Sequence, residues 1–155
     1  MLTAHIASGY IVGRSVPPSI PYAMPVALIA SIFPDFDMIW FLFVDQGAIH
    51  HHRYWVHVPA FWVAALAICL PLMWWSRYWT TALLFFAVIF LHLLLDSISG
   101  GILWAAPFND KLYALFEVPA AYSHWVLSFI FHWTFLAEIA VWVWAIFLWR
   151  KRGTP

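Results

Sequence analysis

Apolar positions run along this chain in long blocks, and polar positions fall in short groups between them. Three blocks reach the length of about 20 residues that a helix needs to cross a bilayer: residues 55–76, 78–98 and 124–149. Upstream, residues 2–13 and 22–33 form two shorter apolar blocks on either side of Arg14-Ser-Val-Pro-Pro-Ser-Ile-Pro. A helix does not continue through such a Pro cluster. The pattern therefore predicts a hairpin of two short helices dipping into the bilayer, each about 18 Å long. Gly9 and Gly13, one turn apart, would let the pair pack closely. Residues 38–49 predict one more short helix. Residues 99–119, which carry Gly100, Gly101, Pro107, Asp110 and Lys111, predict a re-entrant or interfacial segment. The expected architecture is all-α: one integral membrane domain over residues 1–155, a polytopic bundle with three full spans, a short N-terminal hairpin and that extra segment.

Composition removes the alternatives. Hydrophobic residues make up 65% of the chain and charged residues 9%, whereas soluble domains carry about a quarter of charged residues. Seven Lys+Arg and seven Asp+Glu give zero net charge, which excludes a nucleic-acid partner held by electrostatics. Membrane lipids are the expected surroundings, and 12 Trp, 14 Phe and 6 Tyr supply many interfacial anchors. Cys69 stands alone and predicts no internal disulfide. No basic residue precedes Arg14, so no cleavable signal is expected and residue 1 should remain.

Charge placement predicts an orientation. Arg150, Lys151 and Arg152 follow the last span and belong in the cytoplasm by the positive-inside rule. Counting back, Arg77 and Arg14 fall on the same side. The opposite ends hold His5, Asp35, Asp37, the His cluster of residues 50–57, His92 and Asp96.

Ionisable groups within membrane segments are costly and mark function. In His92-Leu-Leu-Leu-Asp96 the imidazole and carboxylate lie one turn apart on one helix face, where both can reach one cation. A plain His–Asp hydrogen bond between helices explains the pair equally well. Pro34-Asp35-Phe36-Asp37 offers two carboxylates on irregular backbone, as helix caps or as metal ligands. In His50-His51-His52-Arg53-Tyr54-Trp55-Val56-His57 the first three rings fit a pH-sensitive loop, but His57 lies inside the next span. Arg53 there can meet an anionic substrate or growing negative charge. Taken together, these residues form a mixed N/O set suited to zinc first, with manganese or iron as alternatives. More than four such ligands allow one or two ions, and a pair of ions suits phosphoester hydrolysis.

The same motifs carry a resemblance. His5 with Gly9, Pro34-Asp35-Phe36-Asp37, His52-Arg53-Tyr54-Trp55-Val56-His57 and His92-Leu-Leu-Leu-Asp96, in that order over roughly residues 1–108, resemble the YdjM-like family of inner-membrane proteins. That family is described as metal-dependent hydrolases. The chain departs from the family pattern at Met38, where many members have His, and at His51, where many have Gly. A ligand contribution then shifts to His50 or His51.

The resemblance implies a multi-pass protein of the bacterial inner membrane with a cytoplasmic C-terminus and an extracytoplasmic site. The expected ligands are His5, Asp35, Asp37, His51, His52, His57, His92 and Asp96. Asp37 is the expected base and Arg53 the stabiliser of negative charge. The expected reaction is hydrolysis of a phosphoester of a lipid or lipid-linked substrate by a metal-activated water. The rival expectation is a metal transporter or sensor, for which Glu138 is the one candidate to extend an ion pathway. His124 and His132 lie outside the motifs, with His132 expected to make a helix-packing hydrogen bond.

Overall fold

The computed structural model describes residues 3–151, so Leu2 and Arg152 lie outside the described residues. Seven α-helices account for most of them: α1 (Ala4–Ser15), α2 (Ala23–Ile32), α3 (Asp37–Phe43), α4 (Pro59–Met73), α5 (Trp79–Asp96), α6 (Trp125–Ile130) and α7 (Phe135–Arg150). Among the described residues the sole β pairing is an isolated bridge between Ile102 and Tyr113. The all-α expectation holds.

The N-terminal hairpin forms as the Pro cluster predicts, and its two glycines are the contact. A Cβ on Gly9 would lie 2.4 Å from Ser31 Oγ, and one on Gly13 would lie 2.9 Å from Met24 Sδ. The two positions therefore set how near α2 comes to α1, with the helices antiparallel. α5 runs beside α2 in the same direction, since Thr81 Oγ1 donates to the Pro21 carbonyl (2.9 Å) and His92 Nδ1 to that of Ser31 (2.7 Å). α7 lies parallel to α1. Glu138 Oε2 accepts hydrogen bonds from Thr3 N, Thr3 Oγ1 and Ala4 N. The role of Glu138 is thus to cap the start of α1, the first turn of which carries His5.

This connectivity brings Arg14, Arg77, Arg150 and Lys151 to one end of the bundle and His5, Asp35, Asp37, His92 and Asp96 to the other. The core between them is built on Ile89, Leu93, Val88, Ala27, Ala30 and Trp62. Outside it, large apolar side chains such as Leu72, Trp75, Phe43 and Val143 are exposed, while His5, His57, His92, Asp96 and Glu138 are buried. Burial of polar groups beneath an apolar exterior suits a lipid solvent.

The three full spans do not all appear as single helices. Among the described residues, α5 is the one helix long and apolar enough to cross a membrane, joined by α2 with residues 34–43 if that pair, bent by 46°, counts as one span. The block at 55–76 is helical only from Pro59, because Val58 is extended and residues 55–57 make a separate 3-10 turn. The block at 124–149 breaks between Ile130 and Phe135, where the His132 ring turns back onto Thr134 Oγ1 at 2.9 Å. The expected helix over 38–49 stops at Phe43, and the 99–119 segment folds back on itself through the Ile102–Tyr113 bridge.

Candidate metal centre

Four stretches of chain deliver the ionisable groups to one place. α5 ends on His92 and Asp96. The 3-10 turn Pro34–Phe36, with Pro at its first position, carries Asp35 and leads into Asp37 at the start of α3. Two further 3-10 turns, His51–Arg53 and Trp55–His57, aim His52 and His57 inward. The first turn of α1 adds His5.

Three imidazoles are held by the same device. His92 Nδ1 donates to the Ser31 carbonyl at 2.7 Å, and His52 Nδ1 to the Gly101 carbonyl at 2.9 Å. His57 Nδ1 is 2.8 Å from Asp37 Oδ2. A carbonyl can only accept, so the proton of His92 and of His52 sits on Nδ1, and Nε2 presents a lone pair. This is how proteins orient metal-binding imidazoles. Burial also pushes the pKa of His51 and His52 down, to about 2 and about 3, so both rings stay neutral and able to donate a lone pair.

The three Nε2 atoms converge on two carboxylates. Asp96 Oδ2 lies 3.0 Å from His92 Nε2 and 3.7 Å from both His52 Nε2 and His57 Nε2. Asp35 Oδ1 lies 3.7 Å from His92 Nε2 and 4.0 Å from His57 Nε2. Bonds of about 2.1 Å in a tetrahedral site put donor atoms about 3.4 Å apart, so these spacings are those of a ligand cage. His57 Nε2 is buried without a hydrogen-bond partner. Leaving such a group unmatched costs about 1–3 kcal/mol, and a cation beside it removes that cost. The donor set fits zinc or a similar divalent ion.

His5 and Asp37 flank these groups. His5 Nε2 is 3.0 Å from Asp96 Oδ1, on the carboxylate oxygen that faces away from the three Nε2 atoms, and its ring stacks on His92 at 3.8 Å between centroids. Asp37 faces His57 through Oδ2, and its Oδ1 is 4.0 Å from His51 Nδ1. Three sets have ligand atoms near enough to share an ion: His51, His52 and His57; His5, His92 and Asp96; and Asp35, His57 and His92. His50 accepts the His52 N–H through Nδ1 and thereby shapes the turn.

Arg53 is exposed and stands near enough to His50 to lower the pKa of that ring, though less than burial does. His124 accepts from Val126 N as a cap on α6, and His132 bonds Thr134 locally. Neither belongs to the groups that could hold an ion. Sequence motifs had no means of finding the Ser31 and Gly101 carbonyls, because any residue type supplies that atom. Gly100 was the available signal: a Cβ there would sit 2.6 Å from His52 Cε1.

A cleft of about 530 Å³ opens onto the cage. Asp35, His51, His52 and Gly100 line it together with the apolar Val118, Pro119, Trp125 and Phe129.

The model of the YdjM inner membrane protein family matches residues 1–153. The chain belongs to that family. No curated protein and no solved structure matches it. Family membership also accounts for the exposed apolar exterior, since the YdjM family is one of inner membrane proteins.

Proposed function

We propose that the protein is a membrane-embedded, metal-dependent hydrolase acting on a phosphoester of a lipid or lipid-linked substrate. The observation that carries this reading is the convergence of three Nε2 atoms and two carboxylates beside a cleft that Asp35 and His52 line together with apolar side chains. A divalent ion bound there, zinc before manganese or iron, supplies Lewis acidity and a lowered pKa for water. His52, His57, His92, Asp35 and Asp96 hold it. His5 steadies Asp96, Asp37 steadies His57, and His51 stands by for a second ion.

Asp35 is the cage member with an open side. Its side chain is 33% exposed against 2% for Asp96, and it lines the cleft. In this reading it orients the attacking water, while Asp37 accepts the His57 Nδ1–H and keeps Nε2 free for the ion. The apolar side chains that line the cleft receive the hydrocarbon part of the substrate, and Arg53 meets its negative charge. α4, α5 and the broken α6–α7 segment are the crossings, with the C-terminus cytoplasmic and the cage toward the extracytoplasmic face.

A transporter would need ionisable groups leading onward from the cage. Glu138, the candidate for that path, is engaged at the start of α1, which favours a one-sided site. The test is metal analysis of gently purified protein, wild type against the His92→Ala/Asp96→Ala variant, together with hydrolysis of a panel of phospholipids and lipid-linked phosphates. A metal-loaded protein that hydrolyses nothing in the panel and moves metal across vesicles would replace the enzyme with the transporter.

A further inference from the structure

A second hollow, of about 490 Å³, opens at the same end of the molecule and shares no lining residue with the cleft beside the cage. Phe33, Phe36, Trp40, Tyr54 and Trp55 line it, and Asp37 is the one charged side chain among its lining residues. Its volume falls within the range of about 300–1,000 Å³ common for small-ligand sites. Two of the rings are fixed from behind. Phe33 packs edge-on against Trp62 and Phe85, with centroids 5.9 Å apart in each case, and Trp55 packs against Phe61 at 4.5 Å. Phe36, Trp40 and Trp55 are each more than half exposed, which leaves the mouth accessible.

The Asp37 side chain is 6% exposed. His57 Nδ1 donates to its Oδ2 at 2.8 Å, the Met38 N–H also acts on it, and His51 Nδ1 is 4.0 Å from Oδ1. A carboxylate has about four lone-pair sites, so these contacts leave room for another donor. Tyr54 donates its hydroxyl to Asp45 Oδ2, which brings a second carboxylate beside the aromatic lining. Among the described residues, no Lys or Arg forms an ion pair with Asp37 or Asp45. Arg53, adjacent to Tyr54 in the chain, does not line the hollow.

Aromatic rings attract cations through their negative faces, and a buried carboxylate is costly without a positive partner. An organic ammonium answers both. A quaternary ammonium has no N–H and leaves the spare lone pairs of Asp37 unmatched, whereas a primary ammonium brings three donors with its charge. Depth decides where it comes from. The 18 residues of α5 span about 27 Å, nearly the hydrocarbon thickness of about 30 Å. Its last residue, Asp96, lies 3.7 Å from His57, and Asp37 bonds the other side of that ring. With α5 crossing the bilayer, the hollow lies at headgroup level.

We propose that this hollow seats the primary ammonium of a lipid headgroup, held by the Asp37 carboxylate and the surrounding aromatic rings. The site stands independently of the hydrolase reading.

The experiment uses purified full-length protein in an uncharged detergent and three probes with one tail: octylammonium, octyltrimethylammonium and octanol. Affinities are read by calorimetry, with zinc content and circular dichroism measured alongside. Octylammonium should bind about tenfold or more tighter than octanol, and tighter than octyltrimethylammonium. Trp40→Leu, a change at an exposed ring, should weaken octylammonium about threefold or more. Asp37→Asn should weaken it further, with octanol nearly unchanged in both. The source of the ammonium is read by native mass spectrometry from mixed micelles of phosphatidylethanolamine and phosphatidylglycerol in equal amounts. Wild type should retain the aminolipid in preference, and Trp40→Leu should lose that preference. Equal wild-type affinity for octylammonium and octanol overturns the site, as does an unchanged octylammonium affinity in both variants. Tighter binding of octyltrimethylammonium overturns the assignment to a primary ammonium. Binding of free ethanolamine without preference for the aminolipid overturns the lipid headgroup and makes the ligand a soluble amine.

Discussion

Asp37 Oδ2 holds His57 Nδ1 at 2.8 Å, while the opposite nitrogen of the same ring looks into the cage, 3.7 Å from Asp96 Oδ2. One imidazole thus ties α3 to the end of α5, and the carboxylate behind it fixes which nitrogen is free. Asp37→Ala removes that control without removing a donor atom from the cage. Partners of this kind are worth about 10–100-fold in metal affinity, and that is the expected loss, read by chelator competition. Asp37→Asn keeps an oxygen that can accept from Nδ1–H and should recover part of it. An unchanged affinity in both variants would show that His57 needs no such support.

A second prediction concerns the glycine against His52. Gly100→Ala puts a methyl group 2.6 Å from His52 Cε1, inside any real contact distance. His52 has to rotate away from the Gly101 carbonyl, so metal affinity should fall while the helices stay intact by circular dichroism. Gly101→Ala meets Leu112 Cβ, also at 2.6 Å, and should disturb the 99–119 segment more than the cage. Equal metal affinity in wild type and Gly100→Ala would contradict the assigned role of His52.

How much of this was legible beforehand follows from how each feature is encoded. The hairpin is written in local signals, the Pro cluster and the Gly9–Gly13 spacing, and it formed as those signals dictate. The His and Asp residues that converge stood out in the sequence because ionisable groups are rare in an apolar chain. The break at residues 131–134 was not. His132 and Thr134 are too few to interrupt the apolar average of a span-length stretch, and hydropathy cannot register a His132 ring that bonds Thr134 at 2.9 Å. Hydropathy likewise read 55–76 as one span, although the demand of His57 for an inward position spends residues 55–57 on a 3-10 turn. Glu138 resisted sequence reading for the opposite reason. Its partners are backbone N–H groups at the other end of the chain.

Glu138 supplies the third prediction. Replacing a cap acceptor costs about 0.5–2 kcal/mol, and a buried acceptor that serves three donors belongs at the upper end. Glu138→Leu should lower thermal stability in detergent clearly, and Glu138→Gln, which retains one accepting oxygen, by less. Because His5 lies in that same first turn of α1, zinc retention should fall in the same order. Loss of stability with full zinc affinity would separate the cap from the cage.

The fourth prediction is topology. Arg14, Arg77, Arg150 and Lys151 share one end of the bundle, so a reporter fused after the last residue should behave as cytoplasmic. A label at Gln46, where the backbone turns with φ 48° between α3 and the His cluster, should react from the extracytoplasmic side. Labelling of Gln46 from the cytoplasm would invert the orientation and place the cage on the inner face.

The last prediction distinguishes a chemical role for Arg53 from a structural one. The side chain is exposed, and its cation stands near His50, which lines the cleft. If Arg53 only snorkels toward headgroups, Lys serves as well, since a flexible stem with a charge at its tip meets that need. If it faces a phosphoryl oxygen in the transition state, the planar fork matters. Two parallel N–H groups bind two oxygens of one phosphate, and an ammonium gives a single point of contact. Arg53→Lys should therefore retain zinc and fold, bind the phosphoester nearly as well, and lose about 10²-fold or more in kcat, the scale seen when one transition-state donor is removed. His92→Ala should lose zinc and turnover together. Should Arg53→Lys turn over at the wild-type rate while His92→Ala is dead, the cage alone performs the chemistry and Arg53 belongs to the membrane surface.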